Sequence, residues 1–380
     1  MRHCVKFALA ALLAGMIGAV GAGTFFYHDG SEAYALEKQA VIHENSEGTG
    51  PGESASNYYY ARLNERERAL YRSILEGVTA CSDMVNAGSF PVETIEDIYT
   101  YVLNDHPELF WVDDAMTIWI SPGGEGNRIQ LMYNMDKQKI PEVRMEIERR
   151  AQEILDIMDP GLSDYEKMKF VYGYLIGHTA YQKGSPQNQN IQSVFLNGAS
   201  VCRGYAKSFQ YLMDRLGIFC ILVHGTTDEA HSWNIVRLEG DYYHVDATWG
   251  EPSMEGAPVN YGYLCRASED FLRNRTLEDP ELTPECKGTK YEYFHLNQMY
   301  FDSFDKAQIL EGARRHFASG SREISMMFSQ KEAYELAEQA VIGDFTDDLG
   351  LSLERISGRR TGDLVYTLYP EEQWISIRWN

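Results

Sequence analysis

The 380-residue chain is 44% apolar, enough to bury a sizeable core and long enough for two or three compact units. Its formal charge is -22, with 56 Asp and Glu against 34 Lys and Arg. That balance argues against a nucleic-acid partner, which needs basic side chains to neutralise phosphates, and an anionic membrane or wall polymer is also repelled on average.

At the N-terminus, Arg2 and Lys6 lead into an unbroken apolar run from Phe7 to Tyr27. Residues 1–35 read as a signal peptide cut after "AYA" at Ala33 to Ala35, or as an uncleaved membrane anchor through residues 7–27. The run exceeds the roughly 7 to 15 residues of a usual signal core, which favours the anchor. Basic residues ahead of it put the rest of the chain outside in either case, secreted or held at the cell surface. Cys4 precedes the run, so no lipoprotein cleavage site is indicated. Outside the cytoplasm thiols tend to be oxidised, and five cysteines follow: Cys81, Cys202, Cys220, Cys265 and Cys286. An odd number leaves at least one unpaired. If that one is Cys202, the other four form up to two bridges in three connectivities, or remain reduced core residues.

Residues 36–57, ending in "HENSEGTGPGESASN", have the composition of a flexible linker. A mostly helical region is expected over 58–160. It holds apolar residues at helical spacing in "YYYARLNERERALYRSILEGVTACSDMV" and again in "PVETIEDIYTYVLNDHPELF". "AMTIWI" and "RIQLMYNM", flanking the glycine-rich "SPGGEGN", read as a β-hairpin, and a charged helix follows over about 141–158. A core is expected over 161–300. A helix over about 163–179 and the loop "YQKGSPQNQN" lead to "CRGYAKSFQYLMDRLG", which puts Tyr205, Phe209, Leu212, Met213 and Leu216 on one face with Gly217 as its stop. The strand-like runs "FCILVHGT", "HSWNIVRL" and "DYYHVDAT" come next, the last two joined by a tight turn at Glu239 and Gly240. The pattern is α+β, helix first and antiparallel sheet after. Past Pro258 strand and helix continue, and over 301–380 "EISMMFSQKEAYELAEQAV", "DLVYTLYP" and "QWISIRW" suggest a small βαββ, α/β unit.

Cys202 stands where a helix starts. Alone, it reads as a buried helix-start cysteine; as a nucleophile it must become a thiolate, which an unperturbed pKa of about 8.5 disfavours at neutral pH. The unpaired N–H groups of a helix N-terminus and a neighbouring imidazole lower that value. Hairpin parity supplies the imidazole's own partner. With a two-residue loop, Leu238 faces Asp241 and Asp246 falls opposite Trp233, on the face of His231, so His231 and Asp246 are diagonal neighbours within side-chain reach. A three-residue loop would turn Asp246 away.

At these positions "VCRGYA", "HSWNIV" and "YYHVDATWG" resemble the three blocks of the transglutaminase-like superfamily, in its extracellular bacterial form. Cys202, His231 and Asp246 match the nucleophile, base and orienting carboxylate. The resemblance implies a papain-like core, a helix bearing Cys packed on an antiparallel sheet bearing His and Asp. It also implies acyl transfer from a carboxamide or peptide bond, through a thioester, to an amine or water. A protein or peptide substrate follows, cell-wall peptide among them, by cross-linking, deamidation or proteolysis; no cofactor is required. The alternative is a catalytically inactive surface binding or scaffold module on the same fold. For the oxyanion, the Cys202 N–H is the first donor; Gln192 offers a side-chain amide or is an ordinary loop residue. Trp233 and Trp249 shield the ion pair or simply pack the core.

Other readings are weaker. His224, His231, His244 and Asp246 on successive strands suggest a metal set, yet no HExxH or paired CxxC accompanies them and Cys202 is left unexplained. His178, His224, His244 and His295 read as hydrogen-bonded core histidines. "SPGGEGN" lacks the Lys-Ser/Thr of a phosphate loop.

Overall fold

The computed structural model describes residues 6–7, 26–27, 57–121, 126–251, 259–357 and 364–379. Apart from the two-residue strands Lys6–Phe7 and Phe26–Tyr27, the apolar run and the linker lie outside these residues, as does most of "SPGGEGN". No helix among the described residues is long and apolar enough to cross a membrane.

The first helical stretch is divided where its chemistry changes. A short helix, Tyr58–Arg62, ends before Asn64, whose side chain accepts from the N–H groups of Arg66 and Glu67 while Glu67 returns to the Asn64 N–H. This capping box starts the helix Glu65–Ala80, and Cys81 in the left-handed region stops it. "MVNAG" then forms a strand, Met84–Gly88, where helical spacing had suggested helix. It pairs antiparallel with Asn127–Tyr133, which also pairs with Val112–Trp119, so the expected hairpin gains a third strand. Buried Asp105, at the end of the helix Val92–Asp105, ties this region together by accepting from the N–H groups of Tyr59 and Tyr60 and from the Tyr71 hydroxyl. The charged helix spans Ile140–Asp156 and the next Asp164–His178.

The central sheet runs in the order Asp241–Val245, Ala230–Leu238, Cys220–Thr226, Thr276–Leu277, all antiparallel. The helix Cys202–Leu216 lies across the Ala230–Leu238 and Cys220–Thr226 strands and buries Tyr205, Phe209, Leu212 and Met213 against them, with Gly217 left-handed at its end. This is the α+β arrangement expected, a cysteine-bearing helix on a sheet. Two glycines allow the close approaches. A Cβ on Gly204 would sit 2.0 Å from Ser200 Oγ and 2.7 Å from the Asn188 carbonyl, where the preceding loop presses on the first turn. A Cβ on Gly225 would sit 1.9 Å from the Thr276 carbonyl.

The final segment departs from βαββ. Strand Glu323–Phe328 and helix Lys331–Ile342 are followed by a second helix, Phe345–Ser357, before the hairpin Leu364–Tyr369 and Trp374–Trp379. Phe345, Leu349 and Leu353 give that second helix a buried stripe at spacing four. One apolar cluster joins Met299 to Trp379, while Trp374 packs into the other, larger cluster that holds the central sheet.

Candidate active site

Val201 precedes the cysteine helix with extended backbone and offers no side-chain cap, so the first-turn N–H groups around Cys202 carry no side-chain acceptor. The helix presents the largely buried thiol to the neighbouring strand. There Cys202 Sγ is hydrogen-bonded to the His231 ring and accepts from the Ser232 backbone N–H.

The turn at Glu239 and Gly240 has φ of 50° and 96°, the double left-handed geometry of a two-residue hairpin loop. Leu238 therefore pairs with Asp241, and the register runs out to Asn234 opposite Val245. Asp246 follows one step beyond. His231 Nε2 lies 2.8 Å from Asp246 Oδ2, leaving Nδ1 for the thiol. Asp246 Oδ1 accepts from the N–H groups of Thr248 and Trp249 at 3.1 and 3.3 Å, which fixes the carboxylate plane.

These contacts decide the charges. Burial alone would raise the Cys202 pKa, but the hydrogen bond and positive charge of His231 and the Ser232 N–H outweigh it and bring it down. Burial would lower the His231 pKa; the Asp246 charge and hydrogen bond, with Cys202, lift it instead to about 9. Asp246 is fully buried, which opposes ionisation, yet His231, Arg275 and the Trp249 N–H hold its pKa below the usual carboxylate range. Both shifts run in the direction that favours a thiolate beside an imidazolium.

Aromatic rings enclose the pair. The Trp233 ring stacks on His231 with centroids 5.9 Å apart, and half-buried Trp249 meets it edge-on at 6.2 Å. Trp233 is held by donating its indole N–H to His244 Nδ1 at 3.0 Å, while His244 Nε2 bonds Ser268 Oγ at 3.0 Å. Burial first, then Arg275 and Arg266, drives the His244 pKa to about 3, so it stays a neutral acceptor. Gln192 is buried just ahead of the Ser193–Asn197 π-helical turn, and its Nε2 has no hydrogen-bond partner among the described residues.

Several sequence expectations need correction. His224 is half-buried and bonded to Ser232 Oγ and Asn104 Oδ1, but His178 and His295 are exposed rather than core residues. Both still bond locally, to the Tyr174 carbonyl and Glu292 respectively. His224 and His244 spend both ring nitrogens on other partners, and among the described residues no group of three His, Cys, Asp or Glu is set to hold a metal. Cys81, Cys202, Cys220, Cys265 and Cys286 are all free thiols, so of the two readings of the other four cysteines the reduced one holds, with Cys220, Cys265 and Cys286 buried.

Tyr181 and Arg275 gather at the site without having been singled out in the sequence, whereas the loops "YQKGSPQNQN" and "TTDEA" are ones the sequence offers as groove loops. Tyr181, in a two-residue strand beside Ala199–Ser200, lies within electrostatic reach of Cys202, Glu229 and Glu251. The loops "YQKGSPQNQN" and "TTDEA" meet through Lys183 and Glu229 at 2.7 Å. Arg275 sits behind Asp246, 3.8 Å away and fully buried.

The family model of the transglutaminase-like superfamily matches residues 152–247, a stretch that contains Cys202, His231 and Asp246. Residues 152–247 are a transglutaminase-like domain. Over 129 residues the chain is 23% identical to the kyphoscoliosis peptidase of Mus musculus and 22% identical to that of Homo sapiens, covering 29% of this chain. The match spans only 20% of the length of either relative. Among solved structures, a TGase is similar over 36% of this chain and 44% of its own, with 14% identity and a TM-score of 0.27.

Proposed function

We propose that this transglutaminase-like chain is an exported thiol-dependent acyl-transfer enzyme acting on the carboxamides or peptide bonds of a protein or peptide. The single observation that carries the reading is the buried line from Cys202 Sγ through His231 to Asp246, with 2.8 Å between His231 Nε2 and Asp246 Oδ2.

In this scheme the Cys202 thiolate attacks the carbonyl carbon and the carbonyl π electrons move to oxygen. The Cys202 N–H and the unpartnered Gln192 amide are the donors for that oxyanion. His231 gives its proton to the departing nitrogen, the C–N bond breaks, and a thioester remains on Cys202. The acceptor, an amine or water, loses a proton to His231 as it attacks, and as the oxyanion re-forms its carbonyl the C–S bond breaks and returns the Cys202 thiolate beside the imidazolium. Asp246 holds the ring in place and stays ionised. Trp233 and Trp249 keep water from the ion pair, which strengthens it.

Peptide hydrolysis is in keeping with relatives named as peptidases. The exposed Tyr181 lies within electrostatic reach of the thiol and of Glu229, which bridges to Lys183, and these loops are where substrate choice would be set. The charge of -22 favours cationic segments, such as amine-bearing wall peptides, over anionic polymers. Arg2 and Lys6 ahead of the Phe7 to Tyr27 run support export, and its length supports tethering at the cell surface.

Incubating the protein with a fluorescent primary amine and a glutamine-containing protein tests the reading. Fluorescence incorporated into the acceptor, ammonia released without incorporation, or new peptide termini would identify transfer, deamidation or proteolysis. None of the three across several unrelated protein substrates, together with an unreactive Cys202, would overturn it.

A further inference from the structure

Behind Asp246 lies a cation that the transfer chemistry above leaves unused. The Arg275 guanidinium is packed between Trp249 and Phe271, 4.4 and 4.3 Å from their ring centroids. Its Nη2 lies 3.8 Å from Asp246 Oδ2 and its Nη1 3.7 Å from Glu372 Oε1. Glu372 is buried and belongs to the turn between the last two strands, more than a hundred residues beyond the matched family segment. It is anchored by the Tyr263 hydroxyl, which donates to Oε1 at 3.1 Å.

Arg275 is an odd choice for packing. Its Nε and Nη2 are buried with no hydrogen bond among the described residues, an arrangement that costs stability. What the side chain delivers to Asp246 is positive charge at short range in a dry setting. Glu372 delivers the opposite charge one step further out.

We propose that Arg275 and Glu372 are positioning residues that set the acidity of the Cys202–His231 pair in opposite directions, so that the C-terminal hairpin tunes the nucleophile. The inference rests on the acyl-transfer reading, because it presumes that the Cys202 thiolate is the working species. The other groups facing these charges do not titrate over about pH 5 to 9. On the Asp246 side they are Tyr172 and Tyr181, on the Arg275 side His244 and Tyr263, and around Glu372 Tyr334 and Tyr369; the Arg266–Glu292 ion pair near His244 is common to every variant. Burial holds the tyrosines protonated and His244 neutral there. Glu251 beside Tyr181, and Arg203 and Lys207 of the cysteine helix with Asp114 of the Val112–Trp119 strand, are common to every variant.

The test is the pH dependence of Cys202 alkylation by iodoacetamide, located by peptide mapping, in full-length protein. Removing the cation with Arg275→Met raises the acid limb by about one pH unit, close to tenfold slower labelling at a pH on that limb. Arg275→Lys restores most of the difference. Removing the anion with Glu372→Gln moves the limb the other way by about half a unit, roughly threefold faster labelling. Loss of packing alone would displace both variants in the same direction. If either single variant fails to fold, as judged by its thermal transition, the double variant Arg275→Met with Glu372→Gln decides, since it removes one charge of each sign and is expected about half a unit above wild type, midway to the Arg275 single. Shifts of the same sign, no shift, or a double variant as displaced as the Arg275 single would overturn the inference. A wild-type limb at the ordinary thiol value of about 8.5 would instead overturn the acyl-transfer reading.

Discussion

His231 and Asp246, fifteen positions apart, meet across a two-residue hairpin with 2.8 Å between Nε2 and Oδ2, and Asp246 is fully buried. The imidazole therefore has one nitrogen committed to a carboxylate and the other to Cys202. Register, rather than proximity in the chain, brings the three groups into line.

Asp246→Asn should leave the fold standing and lower turnover by about two to four orders of magnitude. An amide cannot stabilise the imidazolium, and it can present a donor where the ring needs an acceptor. The check is steady-state turnover with the proteins matched by thermal transition. A loss below tenfold would remove Asp246 from the mechanism.

The pH dependence has two signs. Turnover should rise as Cys202 ionises below the usual thiol range and fall as His231 loses its proton near pH 9, because the leaving nitrogen then lacks an acid. Alkylation of Cys202 should share the rise but not the fall, since a thiolate remains at high pH. Stability follows from the same groups. The His231 contribution, with its folded pKa raised from 6.5 to about 9, is complete below 6.5 and is lost as pH climbs through 9. The Asp246 contribution, with its pKa lowered, is present above the ordinary carboxylate value of about 3.9 and is lost as pH falls through the folded value. Thermal transitions measured from about pH 3 to 10 should therefore peak between those limits; a maximum above pH 9 would contradict the assignment.

Gln192→Ala separates oxyanion support from nucleophile activation. With its Nε2 buried and unpartnered, the loss of this donor should cost about a hundredfold in turnover while leaving the alkylation rate of Cys202 within twofold. Equal effects on both rates would make Gln192 a structural residue.

Gly204→Ala tests the setting of the cysteine helix. Its new methyl would meet Ser200 Oγ at 2.0 Å, the Asn188 carbonyl at 2.7 Å and Ser193 Oγ at 2.8 Å, all three groups of the segment before Cys202. The expected cost is about 1 to 3 kcal/mol in denaturant unfolding, with Cys202 displaced and its labelling slowed. An unchanged midpoint and an unchanged labelling rate would show that the loop yields freely.

The parts of this site that were legible in the sequence are the local ones. A helix start at Cys202 and a Glu239–Gly240 turn with both φ values positive are short-range features, and parity does the rest. Arg275 and Glu372 were not legible. Arg275 belongs to a segment of single turns and a two-residue strand with no periodicity to read, and Glu372 arrives from a hairpin 97 positions later, by the numbering of the chain. The strand Met84–Gly88 was hidden for another reason: its apolar residues continue the spacing of the helix before it, and only the left-handed Cys81 breaks the run. Likewise His178 and His295 look like core residues by neighbourhood in the chain but lie at helix ends, where they face solvent.

The central claim is that His231 makes Cys202 a thiolate. The most direct measurement is the second-order rate of iodoacetamide labelling at Cys202 near pH 6.5, in the wild type and in His231→Ala, with the modified peptide identified by mass spectrometry. The account predicts fast labelling of Cys202 ahead of buried Cys220, Cys265 and Cys286 in the wild type, and a rate at least tenfold lower in His231→Ala that recovers toward pH 9.5. Equal rates in the two proteins, or a folded wild type whose Cys202 stays unlabelled up to pH 9, would contradict it.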